Sequence, residues 1–87
     1  MRYSIMNIEG GMIMKYKVVP RLGEILKERN LTQKQLAEMT GISQPVISRF
    51  DRNTQHLDVH LVTIARTLNI SIDDLFYVEE QLEIDDI

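Results

Sequence analysis

The sequence predicts one small all-α domain made of five short helices. Its 87 residues are too few for two independent cores, because a domain usually takes roughly 100–200 residues. Apolar residues recur at the three- and four-residue spacing of an amphipathic helix, and polar residues that favour helix starts precede several of these stretches. The chain has no cysteine, which excludes a disulfide framework and a thiolate zinc site.

The first helix is expected over residues 21–29. Pro20 suits the start of a helix, because the first helical N–H groups have no partner within the helix. Asn30 is expected to end the helix. The apolar positions of this helix are Leu22, Ile25 and Leu26.

Helices two and three are expected to form a closely joined pair. Thr32 is followed three residues later by Gln35, the capping-box pattern that begins a helix. Gly41 ends helix two, where a positive φ has no steric cost for glycine. Ser43 is then the expected N-cap of helix three, which runs to about Asp51. The apolar face of helix two is Leu36, Ala37 and Met39.

Helices four and five follow a polar linker. Asp58 is the expected cap of helix four, and Ser71 with Asp74 repeats the capping-box pattern before a short helix five. The apolar residues of helix four follow the i, i+3, i+4, i+7 pattern, which predicts that one face is buried. They are Leu61, Ile64, Ala65 and Leu68.

Two short segments beside the helices are prone to form strands. Residues 15–19 and 76–78 are rich in β-branched and aromatic residues. We therefore expect them to pair as a small two-stranded sheet, either within one chain or between two chains. The folded domain is accordingly placed at residues 15–78, with an acidic tail at residues 79–87.

Residues 1–14 are interpreted as a poorly ordered extension, because they contain adjacent glycines and no sustained periodicity. The codons for Glu9, Gly10 and Gly11 can spell a purine-rich ribosome-binding sequence, and Met14 follows at a workable distance. Our hypothesis is that translation starts naturally at Met14. The alternative is a genuine N-terminal strand or arm.

The charge distribution favours a nucleic-acid partner despite a net charge of −3. Residues 79–87 carry five acids and no base, so removing them changes the charge from −3 to +2. Residues 15–56 carry eight bases and four acids, a net charge of +4. That segment has the sign required to face phosphate.

The stretch 33–52 carries the functional signal, because two short helices joined by a glycine-containing turn form a helix-turn-helix unit. At about 100° per residue, Val46, Ile47 and Phe50 fall on one side of helix three. Pro45, Ser48, Arg49 and Arg52 fall on the other side, with Gln44 at its edge. The predicted core is Leu36, Ile42, Ile47, Phe50, Leu61, Ile64 and Leu68.

The chain resembles the Cro/CI-type (xenobiotic-response-element) helix-turn-helix regulators over about residues 21–76. The residues that match the spacing of that family are Gln33, Ala37, Gly41, Ile47 and Phe50. The resemblance implies a five-helix lambda-repressor-like domain that binds palindromic operator DNA as a homodimer. It also implies a prokaryotic or phage transcription regulator, most often a repressor or autoregulator. A phage-like repressor, a restriction-modification controller and an antitoxin-like autoregulator all suit the length.

The polar face of helix three has the chemistry to read bases. Arginine pairs with the two acceptors of guanine, glutamine pairs with adenine, and proline contacts a thymine methyl group. The resemblance places the base-reading positions at Gln44, Pro45, Ser48 and Arg49. By the same carry-over, the residues that touch phosphates are Gln33, Arg52, Asn53 and Thr54.

Other functions find less support in the sequence. His56 and His60 are four residues apart, but no carboxylate or cysteine completes a tetrahedral metal site. No nucleophile elbow or phosphate-binding glycine loop is present, so we predict no enzymatic activity and no cofactor. No secretory signal, membrane span or small-molecule effector site is evident, so a cytoplasmic protein is expected.

Two alternatives remain open at the level of the sequence. In the first alternative, the polar residues of helix three and of the following loop contact only solvent and do not contact DNA. The chain would then be a protein-interaction module that does not bind DNA, with its acidic tail as the partner surface. That tail is otherwise a solvated segment or a means of repelling nonspecific DNA.

Overall fold

The computed structural model describes the backbone of residues 2–8 and 12–84 and the side chains of residues 15–81. The helices lie in the middle of the chain and pack beside a sheet. The strands of that sheet come from the segments before and after the helices. The predictions for Glu9, Gly10 and Gly11 and for residues 85–87 lie outside the described residues. The elements are β1 (Arg2–Ile8), β2 (Met12–Pro20), α1 (Leu22–Glu28), α2 (Gln33–Thr40), α3 (Gln44–Arg49), α4 (Asp58–Leu68) and β3 (Phe76–Ile84).

The core lies between the four helices and the start of β3. Six of the seven predicted core residues are buried, and the exception, Leu61, is partly buried and packs against the others. Met39 was predicted on the buried face of α2, but its side chain is 53% exposed. The full buried set is Leu22, Ile25, Leu26, Leu36, Ile42, Ile47, Phe50, Ile64, Ala65, Leu68 and Leu75.

The predicted count of five helices is not confirmed. Ser71 and Asp74 do form the reciprocal hydrogen bonds of a capping box, at 3.1 and 3.2 Å. The helix that they begin is a single 3-10 turn, Asp73–Leu75, because the strand-forming residues after it continue as β3. The described part of the chain therefore has four α-helices and two 3-10 turns, the other turn being Phe50–Arg52. None of these helices is long and apolar enough to cross a membrane.

The sheet confirms the predicted pairing of the flanking segments and is larger than predicted. Strands β2 and β3 pair antiparallel within one chain, with Val18 opposite Val78 and Lys17 opposite Glu79. Opposite charges at facing positions favour this register. Residues 79–84, predicted as part of an acidic tail, thus belong to β3. The domain is mostly helical, as predicted, but its β element has three strands instead of two.

The predicted disorder of residues 1–14 is wrong for the described part of that segment. Arg2–Ile8 forms strand β1, which pairs antiparallel with β2 in the order β1-β2-β3. Residues 12–14 belong to β2. The central strand offers main-chain N–H and C=O groups on two edges, and β1 satisfies the edge that β3 leaves unpaired. The described residues thus form a strand, and the start of translation at Met14 stays a prediction.

The observed helix starts differ from the predicted ones near Pro20 and Asp58 and agree at Ser43. Pro20 is the last residue of β2, and α1 begins after Arg21. Ser43 occupies the N-cap position of α3, but its side chain makes no capping hydrogen bond. Asp58 is the first residue of α4, where its carboxylate accepts the N–H of Val59 at 2.7 Å.

The start of α1 is capped from a distant part of the chain. Arg21, at the N-cap position, provides no side-chain hydrogen bond. Instead, the Asp51 carboxylate accepts the N–H groups of Leu22 and Gly23, each at 2.8 Å. A carboxylate also interacts favourably with the positive end of a helix. Asp51 therefore links the turn that follows α3 to the first turn of α1.

We expect Asp51→Ala to lower the free energy of unfolding by about 1–2 kcal/mol, the usual cost of removing a helix cap. The reason is that two main-chain donors of α1 lose their acceptor. Urea denaturation followed by circular dichroism measures the change. Asp73→Ala is a suitable control, because it removes an exposed carboxylate for which the structure gives no hydrogen bond. Equal stability of the two variants would contradict the capping role.

A polar cluster joins β3 to α1. The Tyr77 hydroxyl donates to Glu24, and the guanidinium of Arg21 lies 4.9 Å from the centre of the Tyr77 ring and 3.4 Å from the Glu24 carboxylate. The hydrogen bond from Tyr77 lowers the pKa of Glu24, and the same bond raises the pKa of Tyr77. The contact therefore weakens when acid protonates Glu24 or when alkali ionises Tyr77.

Candidate nucleic-acid interface

Helix α2 begins at the predicted capping box. The Thr32 hydroxyl accepts the N–H of Gln35 at 3.0 Å, and the Gln35 side chain accepts the N–H of Thr32 at 2.8 Å. These bonds satisfy donors that the helix itself leaves unpaired. Gln33, the first residue of α2, is exposed beside this cap. Its amide is therefore available to a ligand at the start of the helix.

The turn between α2 and α3 is held by Thr40 and Gly41. Gly41 has a φ of +73°, a left-handed conformation that disfavours residues with a side chain. The Thr40 hydroxyl donates to the carbonyl of Leu36 at 2.7 Å and accepts the N–H of Ile42 at 3.2 Å. These bonds fix the direction in which the chain leaves α2, and therefore the direction of α3.

Helix α3 divides into a buried and an exposed side, as its sequence predicts. Ile47 and the following Phe50 are buried, and Val46 is partly buried. The exposed side contains the predicted base-reading residues. These are Gln44, Pro45, Ser48 and Arg49.

Ser48 is partly committed to its own helix. Its hydroxyl donates to the carbonyl of Pro45 at 3.0 Å, so the hydroxyl proton is already used. The oxygen still has a lone pair that can accept a hydrogen bond from a ligand. Ser48 in this rotamer is an acceptor, which suits the amino groups of adenine and cytosine in the major groove.

The end of α3 is supported by His56, a residue that the sequence suggested only as a rejected metal ligand. The centre of the His56 ring lies 4.1 Å from the centre of the Phe50 ring. Nε2 of His56 donates to the carbonyl oxygen of Phe50 at 2.7 Å. His56 therefore folds the linker back onto the end of α3. The one signal of this role in the sequence is an aromatic ring within an otherwise polar linker.

The predicted phosphate-contacting residues of the loop lie directly after α3. Arg52 ends the 3-10 turn, and Asn53 and Thr54 follow in the linker. All three are exposed. Within residues 15–81, neither Arg49 nor Arg52 takes part in an ion pair, so both guanidinium groups are available for external acceptors.

The arrangement presents hydrogen-bonding and cationic groups on a convex helix, which is suited to a groove. In the described part of the chain, no three histidine or carboxylate side chains are grouped as metal ligands would be. The exposed polar residues of α3 and of the loop after it all lie within residues 44–54, where Val46, Ile47 and Phe50 face the core. The geometry is that of a helix-turn-helix unit, whose second helix enters the major groove.

Comparison with known protein families gives a match to the model of the Cro/C1-type HTH DNA-binding domain. The match spans residues 21–81, which includes all four α-helices and the first part of β3. Neither the curated proteins nor the solved structures contain a match to this chain.

Proposed function

This chain belongs to the Cro/C1-type helix-turn-helix DNA-binding domain family, and we propose that it is a sequence-specific transcription regulator. The observation that carries the proposal is the exposed polar side of α3 above a buried apolar side. In this proposal α3 lies in the major groove of operator DNA. A bound regulator would occlude the promoter, so repression or autoregulation is the proposed outcome.

Base reading is assigned to the exposed side of α3. Arg49 is the proposed reader of guanine, because its guanidinium is free to donate two hydrogen bonds to N7 and O6. Gln44 is the proposed reader of adenine, through one donor and one acceptor. Ser48 contributes an acceptor, and Pro45 contributes an apolar contact to a thymine methyl group.

Phosphate contacts are assigned to both ends of the helix-turn-helix unit. Gln33 at the start of α2 contacts one strand, and Arg52, Asn53 and Thr54 after α3 contact phosphates at the other end. Such contacts orient the protein but carry no sequence information. Arg52 is the one cation in this set, so its contact is the one that releases a counterion.

The proposed assembly is a homodimer on a palindromic operator. A six-residue recognition helix reaches only a few base pairs, which is too short a site for specificity in a genome. Two copies related by a twofold axis double the site, with half-sites about one helical turn, roughly 34 Å, apart.

Selection from a randomised duplex library at physiological salt tests this function. We expect an inverted-repeat motif to be enriched, and we expect its affinity to fall steeply as salt is raised. A duplex of the same composition with a scrambled motif is the control. No enrichment by the folded protein would overturn the proposal and favour the protein-interaction module.

A further inference from the structure

The outer face of α4 carries apolar side chains in contact with solvent. Val59 is 59% exposed and Val62 is 39% exposed. Beside them, a shallow cavity of about 250 Å³ lies between α4 and the segment that follows it, with Val62, Ile70 and Ile72 among its lining residues. Ile72 is itself 39% exposed. Exposed apolar groups that lie together on one face are the kind of surface at which proteins associate.

Charged residues flank this apolar centre symmetrically. Asp58 lies four residues before Val62, and Arg66 lies four residues after it. Four residues rotate a helix by about 40°, so the three side chains share one exposed face. Within residues 15–81, Arg66 takes part in no ion pair, and the carboxylate of Asp58 accepts only the N–H of Val59.

We propose that this face binds a second copy of the chain, with the two α4 helices antiparallel about a twofold axis at Val62. Asp58 and Arg66 each lie about 6 Å along the helix from Val62, at a rise of 1.5 Å per residue. In the antiparallel arrangement Asp58 of one copy therefore lies opposite Arg66 of its partner, and the pair forms twice. A parallel arrangement would place like charges opposite each other.

The distribution of charge selects a second copy over a different partner. A twofold interface must be self-complementary, because the same patch is used on both sides. Asp58 and Arg66 meet this condition, since each is the charge complement of the other at equal distance from the axis. An acidic partner would face Asp58 unfavourably, and a basic partner would face Arg66 unfavourably. The inference rests on the proposed function in one respect, which is that a palindromic operator requires a twofold dimer.

The test measures the oligomeric state without DNA, by sedimentation equilibrium. Asp58→Arg gives a chain that is basic at both positions, and Arg66→Asp gives a chain that is acidic at both. We expect each variant to raise the dimer dissociation constant by roughly 100-fold, the effect of opposed like charges. An equimolar mixture of the two variants should form heterodimers, because the two basic positions of one chain then face the two acidic positions of the other. A chain that carries both substitutions should also dimerise, because it re-forms both ion pairs with the charges exchanged.

Two charge reversals elsewhere serve as matched controls. Glu38→Arg on α2 and Lys27→Asp on α1 alter exposed residues outside this face and should leave the dimer intact. Thermal unfolding of every variant identifies loss of the fold. A wild-type chain that stays monomeric, single variants that dimerise normally, or folded variants whose mixture stays monomeric would each overturn the proposal. Operator binding is measured separately, so a dimer of this kind without DNA binding would contradict the function alone.

Discussion

Arg49→Ala is expected to weaken binding to the selected operator by about 5- to 150-fold for each half-site that Arg49 reads. This range follows from the roughly 1–3 kcal/mol that a bidentate contact contributes to base discrimination. Arg49 is exposed at the end of α3 and forms no ion pair within residues 15–81, so its removal disturbs no described contact. Fluorescence anisotropy with labelled duplexes measures the affinity.

The same measurement separates base reading from simple charge. If Arg49 reads a base, Arg49→Ala should lose discrimination at one base pair of each half-site and keep it at the others. Arg49→Lys should recover little, because an ammonium group lacks the planar fork that matches guanine. Lys27→Ala, which removes a cation from exposed α1, is the control. A uniform loss across all operator variants, with a salt slope lower by about one, would reassign Arg49 to a phosphate.

Phe50→Ala is expected to lower the free energy of unfolding by about 3–5 kcal/mol, the usual cost of deleting a large buried aromatic side chain. Phe50 is 1% exposed, and its ring packs against His56 and lies 6.0 Å from the ring of Phe76. The loss is a large part of the 5–15 kcal/mol that stabilises ordinary domains. Urea denaturation followed by circular dichroism gives the value.

Met39→Ala is the control for this change, because it also shortens a large apolar side chain but one that is 53% exposed. We expect its effect to stay within about 0.5 kcal/mol. Phe50→Leu should lie between the two, since it retains part of the buried volume. A loss below about 1 kcal/mol for Phe50→Ala would contradict a core that depends on this ring.

The helices and the turn were predictable because their signals are local. The capping box of Thr32 and Gln35, the glycine at position 41 and the apolar spacing of α4 each act within a few residues of one another. The exposed side of α3 followed from the helical period alone. Prediction of the buried residues succeeded for the same reason, with Met39 as an exception at the edge of its helix.

The parts that sequence reasoning missed depend on contacts between distant residues. Asp51 caps a helix that begins 29 positions earlier, and strand β1 pairs with the edge of β2 that β3 leaves free. The fifth helix is a single turn for a related reason, since pairing with β2 draws Phe76 and Tyr77 into a strand immediately after it. The local propensity of a segment carries no information about the free energy that such contacts between distant residues contribute. The roles assigned to Gln44, Arg49 and the loop stay predictions.

The support at the end of α3 has a consequence for the thermodynamics of recognition. A six-residue helix has no stability of its own in water. Here the segment after it is anchored on two sides, by Asp51 at the start of α1 and by the hydrogen bond of His56 to Phe50. The reading surface is thus preorganised, and a ligand does not have to supply the ordering entropy of a helix that folds on contact.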